Sequence, residues 1–391
     1  MGCRSACRAG VSRVILGGMN APRSSDVLIV GAGIAGLSHA IAAVERGLSV
    51  TIIDRDARAV GASIRNFGHA CVTAQTAELA ELALVAREKW LRYGRSAGLF
   101  VIESGALTVA RTAAESAVLD ELAGSRESGQ VRLLTPREVR EHLGAAADPT
   151  IVSGALLRDD LRVDPREAVG GLAAWLAVQP GVTFSWRTSF LGASDGVVRT
   201  SRGEFRAART IVCVGHDLDL LYPDLADAHA VERCALQMAR VEAPEGLALG
   251  PAVLTGTSML RYPAFAETDA AVALRAEMAA QHPELLDIAA NVMFTQRPDG
   301  TLIVGDSHRY AVTQDPFLAE PTSDTLLEAI ATILGAAELR VVERWQGVYA
   351  SSAQRPFLIA EPEAGVTVAI VTSGVGMTIS LGLAEKTFGT F

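Results

Sequence analysis

The chain has 391 residues, 49% hydrophobic and 20% charged, so it can bury a large aliphatic core and is not a disordered polymer. A net charge of −9 and a pI near 5.4 argue against non-specific nucleic-acid binding and against an anionic membrane surface, and no run reaches the roughly 18 apolar residues of a membrane span. The five cysteines, Cys3, Cys7, Cys71, Cys213 and Cys234, are scattered with no CxxC pair, which excludes a disulfide framework or zinc site as an expectation, predicts no metal, and places the chain in a reduced, cytoplasmic setting.

In chain order, residues 1–25 read as a disordered leader or a misplaced start, with Met19 as the alternative initiator. "DVLIV" is a buried parallel strand. "GAGIAG" is a turn, followed by an alanine-rich helix to about Arg46, a stop at Gly47 and a second strand in "LSVTIID". "AELAELALVAREKWLRYG" has the helical period, with Gly94 as its stop. "TPREVREHLG" is a short capped helix, and Pro165 opens a helix in "LRVDPREAVGGLAAWLAVQ". Between "VTFSW" and "TIVCVG" the pattern offers three strands.

From 231 to 345 the texture turns antiparallel. Strands are predicted in "CALQMARVE", "SMLRYPAF", "NVMFTQRPDGTLIVGDSHRY" and "LRVVERWQGVYASS", with a hairpin at "RPDG" and helices near 268–281 and 322–334. The last stretch, "VTVAIVTSGVGMTIS", returns to strand, glycine turn and helix.

Gly31, Gly33 and Gly36 complete a G-x-G-x-x-G with Ala32, Ile34 and Ala35 between them. The first glycine permits a tight turn, the second a close approach to a pyrophosphate, and the third close packing of helix on strand. The helix N-terminus offers unpaired N–H groups to phosphates. Asp54, about 20 residues on, closes the second strand where a carboxylate accepts from ribose hydroxyls and repels a 2′-phosphate. The sheet is then completed by distant pieces, and the last piece brings Gly374, Gly376 and a second helix N-terminus to the same edge, where positive dipole would stabilise charge on a reduced flavin.

"VLIVGAGIAGLSHAIAAVERGLSVTIIDRD", "LRVDPREAVGGLAAWL", "TIVCVGHDL" and "TSGVGMTISLGLAE" together resemble the D-amino-acid-oxidase-like family of FAD enzymes, which includes glycine oxidase and sarcosine oxidase. The resemblance implies an α/β fold. A discontinuous Rossmann-like FAD-binding domain would comprise 26–85, 150–230 and 346–391, interleaved with a mixed, largely antiparallel β-sheet substrate domain of 86–149 and 231–345. It further implies that Gly31 to Gly36, Asp54 and Arg55 hold the ADP half of FAD, and that Ser63, Arg65, Asn66, Phe67 and Gly68 run along pyrophosphate and flavin. Phe190 would meet the adenine, Gly215 would close against the ADP, and Gly374, Gly376, Met377 and Thr378 would sit at the pyrimidine edge of the flavin.

More narrowly, "ASIRNFGHACVTAQ", "LQMARVE", "YPAFAE", "VGDSHRY" and "ERWQGVYASS" look like a clade linked to aminophosphonate breakdown. Some of its members oxidise N-methyl-2-aminoethylphosphonate or 2-aminoethylphosphonate to phosphonoacetaldehyde. Tyr349 stands where amino-acid oxidases of the family carry a carboxylate-clamping arginine, and Val375 where glycine oxidase has a second one, so a plain α-amino acid is a poor substrate. Thr378 replaces the lysine of sarcosine oxidase, and Asn66 the histidine that bonds flavin covalently in related dehydrogenases, which implies non-covalent FAD.

The implied reaction passes a hydride from the carbon beside an amine nitrogen to flavin N5, with O2 or another acceptor restoring the flavin; an oxidase releasing peroxide is expected. Tyr349, Tyr262 and His308 are the candidate catalytic groups. Arg65 with His69, Arg261 with Tyr262, and Arg309 with His308 are the candidate anion binders. His216 is expected near the nucleotide, His39 in a packing role, and Cys71 as a small core residue. The alternatives are a sarcosine or N-methyl-amino-acid oxidase, and the flavin-carrying subunit of a multi-subunit dehydrogenase; the sequence names no protein partner.

Overall fold

The run Val27–Val30 is buried because it lies at the middle of an eight-stranded sheet. In the computed structural model, which describes residues 23–389, the strand Arg23–Val30 pairs in parallel with Gly203–Val212 on one side and Val50–Asp54 on the other. Val182–Trp186 extends the sheet beyond Val50–Asp54, and Val366–Val371 joins the far half of Gly203–Val212, both in parallel. Phe357–Glu363 closes that flank in antiparallel pairing. The expectations for residues 1–22, with Cys3, Cys7 and Met19, lie outside the described residues. Arg23–Ser25, read as leader, already pair with Phe205–Ala207.

Four strands, not three, occupy 182–212: Val182–Trp186, Phe190–Ser194, Val197–Thr200 and Gly203–Val212. The extra division is the Asp195-Gly196 turn, where φ values of 51° and 73° make the two-residue hairpin that an Asp-Gly pair favours.

The helices Ile34–Glu45, Ala77–Ala97 and Gly376–Gly389 pack on one face of this sheet. The second runs through Gly94 and ends at Gly98, φ 64°, in the left-handed conformation that closes helices. Gly94 is needed for a different reason: a Cβ there would lie 2.8 Å from the side chain of Val101. A Cβ at Gly382 would lie 2.1 Å from the carbonyl oxygen of Leu82, so the last helix packs backbone to backbone on Ala77–Ala97. Trp90, fully buried, donates from its indole to the carbonyl of Met377 at 2.7 Å. His39 joins the same layer, bonding Thr387 at 3.0 Å and the carbonyl of Ala35 at 2.7 Å, and burial drives its pKa down to about 4, as befits the packing role.

The nine-stranded sheet centres on Glu232–Val241, which pairs antiparallel with Leu302–Gly305, Arg309–Ala311 and Val341–Ser351. The "RPDG" hairpin joins Met293–Gln296 to Leu302–Gly305 as expected. The helices Ala270–Gln281 and Glu320–Leu334 fall where the period placed them, and Thr135 with Glu138 forms a full capping box on Pro136–Leu143. "SMLRYPAF" is not a strand but two helical turns, Gly256–Met259 and Pro263–Ala266. Thr255 opens the first in a capping box with Ser258, and Pro263, with no N–H to give a ladder, opens the second.

Ser153–Leu157 pairs with Ala106–Ala110 and Val131–Leu134, so this strand belongs to the nine-stranded sheet rather than to the nucleotide unit that 150–230 was read as. The missing Cβ of Gly154, 2.7 Å from the Thr108 carbonyl oxygen, permits the close pairing. The two-unit division is otherwise our proposal. A small third sheet of His69–Ala70, Leu161–Val163 and Val101–Ile102 completes the strands. Among the described residues no helix is long and apolar enough to cross a membrane.

Glu385 ties the last helix to its neighbours through Arg46 at 2.8 Å and Lys89 at 2.7 Å. Burial raises its pKa, but the two cations outweigh that and take it from 4.5 to about 2. Its contribution is therefore complete above pH 4.5 and lost as the pH falls toward 2. Glu385→Gln is expected to be less stable than the parent at pH 7 and to converge on it in acid; denaturant midpoints across that range read the difference.

Candidate active site

A single cavity of about 410 Å3 runs from the first glycine turn to Tyr349 and the second. At its nucleotide end Gly31 has φ 101°, and a Cβ there would meet the carbonyl oxygen of Cys213 at 2.6 Å. A Cβ on Gly36 would stand 1.8 Å from the carbonyl oxygen of Gly31, so this glycine serves helix packing and does not line the cavity. Ala32 is buried beneath the turn and donates its N–H to Asp54 Oδ2 at 2.7 Å, while Asp56 N–H binds Oδ1 at 2.8 Å. Asp54 thus shapes the turn as well as lining the cavity, and burial raises its pKa against those two bonds. Gly33, Ile34 and Ala35 line the cavity, and the N–H of Ile34 donates to Ser63 Oγ at 2.9 Å, where a phosphate oxygen could bind.

Arg55 lies at the rim, half exposed and paired with Asp217 at 2.8 Å. Phe190, Gly215 and His216 line the same end. Asn66 folds the next segment, accepting from Gly68 N–H at 2.8 Å and donating to the carbonyls of Ala62 and Ser63, and with Phe67 it lines the wall. Gly68 (φ 72°) lies off the cavity. A Cβ there would strike the Val163 carbonyl oxygen at 1.8 Å, so it allows His69 to pair against Leu161–Val163.

The second turn meets this segment: Cys71 N–H donates to Thr378 Oγ1 at 3.0 Å. Gly374, Val375, Gly376, Met377 and Thr378 all line the cavity, as does Cys71. Gly374 has φ 76°, and its missing Cβ leaves room for the Tyr349 ring, 3.1 Å away. The cradle of glycines at both ends, and the helix N-termini behind them, suit a dinucleotide that carries a redox ring.

At the ring end stand Tyr262, Met293 and Tyr349. Tyr349 lies within the strand Val341–Ser351, and Tyr262 is the N-cap residue of the Pro263–Ala266 turn. Arg261 donates to Tyr349 Oη at 2.9 Å and to Tyr310 Oη at 3.4 Å. Neither partner is a carboxylate. Asp306, the acid that acts on Arg261 electrostatically, is fully buried, and burial raises its pKa from 3.8 to about 7. Burial also raises the phenols of Tyr349 and Tyr262, so both stay neutral hydroxyls.

Four candidates are not among the residues that line the cavity, and of these Arg261 stands directly behind the wall, reaching it through its bond to Tyr349. Arg65 is drawn off by the strand Val341–Ser351: its guanidinium donates to the carbonyl of Gln346 at 3.3 Å, and its own carbonyl accepts from Trp345 at 3.4 Å. Arg309 is an exposed cation bound to Gln314 and Asp315. His308 sits in the loop after Leu302–Gly305, its Nδ1–H donating to the Ala289 carbonyl at 2.9 Å, and burial together with Arg261 lowers its pKa well below 6.5. Sequence reasoning passed over Met293, Tyr310 and Asp160. Tyr310 follows Arg309 in "SHRY", and strand alternation turns the hydroxyl, not the guanidinium, toward Arg261.

Residues 26–388 match the family model DAO, described as FAD dependent oxidoreductase. No curated protein matches the sequence. Among solved structures, glycine oxidase from Geobacillus kaustophilus is 19% identical with a TM-score of 0.73, covering 93% of this chain and 94% of its own. L-proline dehydrogenase from P. horikoshii is 18% identical with a TM-score of 0.75, covering 94% and 93%. Dithionite-reduced L-alpha-glycerophosphate oxidase from Mycoplasma pneumoniae, with FAD bound, is 17% identical with a TM-score of 0.73, covering 94% of each chain. At such identities the likeness is one of fold. With nearly the whole sequence matching the family pattern and two glycine turns sharing one cavity, the chain belongs to the DAO family of FAD-dependent oxidoreductases.

Proposed function

We propose that the chain oxidises a small amine that carries an anion, best an aminophosphonate: N-methyl-2-aminoethylphosphonate or 2-aminoethylphosphonate, giving phosphonoacetaldehyde. The observation that carries this reading is Arg261, whose hydrogen bonds go to two tyrosine hydroxyls, one of them Tyr349 on the cavity wall, and not to a carboxylate. A guanidinium bracketed by hydroxyls suits a tetrahedral oxyanion. Plain α-amino acids would want the arginine that Tyr349 replaces.

In this reading FAD, held non-covalently by the two glycine turns and Asp54, supplies the hydride acceptor. Arg261 fixes the anion and so sets the distance of the carbon–hydrogen bond from the ring. Tyr349 accepts from Arg261 at 2.9 Å and, neutral, turns its own proton to the substrate. Tyr262, Met293 and Phe67 form the apolar wall that excludes water from the reacting carbon. The reading of O2 as final acceptor rests on the oxidase resemblance.

The test is anaerobic mixing of the yellow protein with both phosphonates, glycine and sarcosine. Bleaching by a phosphonate, with aldehyde formed and peroxide released under air, is expected. A flavin that stays oxidised with both phosphonates ends the phosphonate reading, and preference for sarcosine would put an N-methyl amino acid in its place. Arg261→Met removes a bond to a charged group, worth about 1.5–3 kcal/mol, so KM for the phosphonate should rise about tenfold to a hundredfold. Bleaching by an uncharged amine of the same length should hardly change. Gly33→Val, whose Cβ would lie 3.0 Å from Ser63 Oγ and reach into the phosphate cradle, is expected to purify with markedly less flavin absorbance per protein.

A further inference from the structure

An amine is an ammonium ion at neutral pH, and an ammonium carbon cannot surrender a hydride, because the nitrogen has no lone pair with which to close the C=N bond. Either the small neutral fraction binds from solution, or a group on the cavity wall takes the proton once the ammonium is bound. We propose that His69, held in place by Asp160, is the base that accepts it.

The titratable residues lining the cavity fall into two groups. Asp54, Arg55, Asp56, His216 and Asp217 stand at the nucleotide end, beside Gly31 and Gly215. Cys213 lies at that end too, and of the rest burial raises the pKa of Tyr262, Tyr349 and Cys71, in Cys71 with the help of Asp160, so none of these gives a base near neutrality. His69 remains, an imidazole on the wall with one ring nitrogen held by Asp160.

Its geometry fits the role. His69 Nε2 lies 2.7 Å from Asp160 Oδ2, and both side chains are all but excluded from solvent, at 2% and 0% exposure. The other carboxylate oxygen accepts from Thr73 N–H at 2.7 Å, so Asp160 is fixed from two sides. With Nε2–H donating to Asp160, the lone pair of the imidazole is on Nδ1, and Nδ1 has no partner in the protein. A buried ring nitrogen without a partner on a residue of the cavity wall is a place for a ligand's N–H.

The other charged or titratable groups around His69 leave that lone pair alone. Arg162, its register neighbour, spends its guanidinium on the carbonyls of Leu249 and Gly250. Arg126 binds the carbonyls of Thr73 and Gln75. Cys71 and Tyr262 stay protonated. In the step, one N–H bond of the ammonium breaks, its electron pair stays on the substrate nitrogen, and the proton joins Nδ1. The positive charge so moved to the imidazole is balanced by Asp160. The inference rests on an amine substrate and not on the phosphonate.

The experiment uses His69→Asn and Asp160→Asn in the FAD-loaded full chain, with flavin content and melting checked for each. With whichever amine bleaches the parent, anaerobic bleaching at pH 7 by His69→Asn should be about a hundredfold slower or more. The deficit should shrink as the pH is raised toward the amine's own pKa, because solution then supplies the neutral amine. Asp160→Asn should show a smaller deficit of the same pH shape.

A second readout needs no turnover. In histidine-labelled protein, 2-amino-2-methylpropylphosphonate, whose carbon beside nitrogen bears no hydrogen, should move the His69 ring 15N signals to those of an imidazolium. A His69→Asn enzyme that bleaches at the parent rate, or with a deficit that does not vary with pH, overturns the proposal alone. An enzyme bleached by no amine overturns the functional reading and this inference with it. His69, Cys71 and Asp160 present ligand atoms within 4.8 Å of one another, so stoichiometric zinc whose removal stops bleaching would also overturn it, making the cluster a metal site.

Discussion

The parallel pairing of Arg23–Val30 between Gly203–Val212 and Val50–Asp54 is the constraint from which the site follows. The ladder continues into the turn itself: Gly31 N–H donates to the Ile53 carbonyl, and Cys213 N–H to that of Val30, each at 2.8 Å. These bonds fix where the first turn leaves the sheet. Because Val366–Val371 runs in the same direction beyond Gly203–Val212, the second turn leaves from the same edge. Ligands of open α/β sheets bind outside the carboxyl ends of the strands, and here two such ends open onto one cavity. A slip of one residue in any of these pairings would turn buried Val27, Ile29 and their partners to the opposite face, so the core enforces the register that the site needs.

The substrate end is polar but carries little free charge. Tyr349 and Tyr262 are held neutral by burial, Asp306 is pushed toward neutrality, and His308 is kept from protonating. Against that background the guanidinium of Arg261 stands one hydroxyl behind the wall at Tyr349, where a charge is weakly screened. The overall charge of −9 is spread over the whole molecule, whereas here one cation stands behind the wall and burial pushes the nearby acid toward neutrality.

What could be read from the sequence was what depends on near neighbours. The first glycine turn, the capping box of Thr135 and Glu138, the Asp164–Pro165 helix start and the "RPDG" hairpin are all specified within a few residues, and all appear. Gly94 misled because a helix stop and a close approach ask for the same residue; only the position of Val101 tells them apart. "SMLRYPAF" misled because its apolar residues suit a strand, while capping by Thr255 and the ring of Pro263 decide for helix. At the site, Arg65 and Arg309 have the right chemistry but are spent on Gln346 and on Gln314 with Asp315. Tyr310 and Asp160 matter through Arg261 and His69, partners that no local spacing announces.

The helix Gly376–Gly389 lies between Ile34–Glu45 and Ala77–Ala97, and His39 and Thr387, 348 positions apart, share a hydrogen bond. A growing chain therefore cannot finish its cofactor seat until the ribosome has released nearly all of what is described here. Until the last helix is made, the apolar faces that the two early helices turn toward it have no cover from it, and uncovered apolar surface favours association with other chains. Contacts of such long range slow folding, and the cavity wall is complete only once residues 374–378 have joined the early turn.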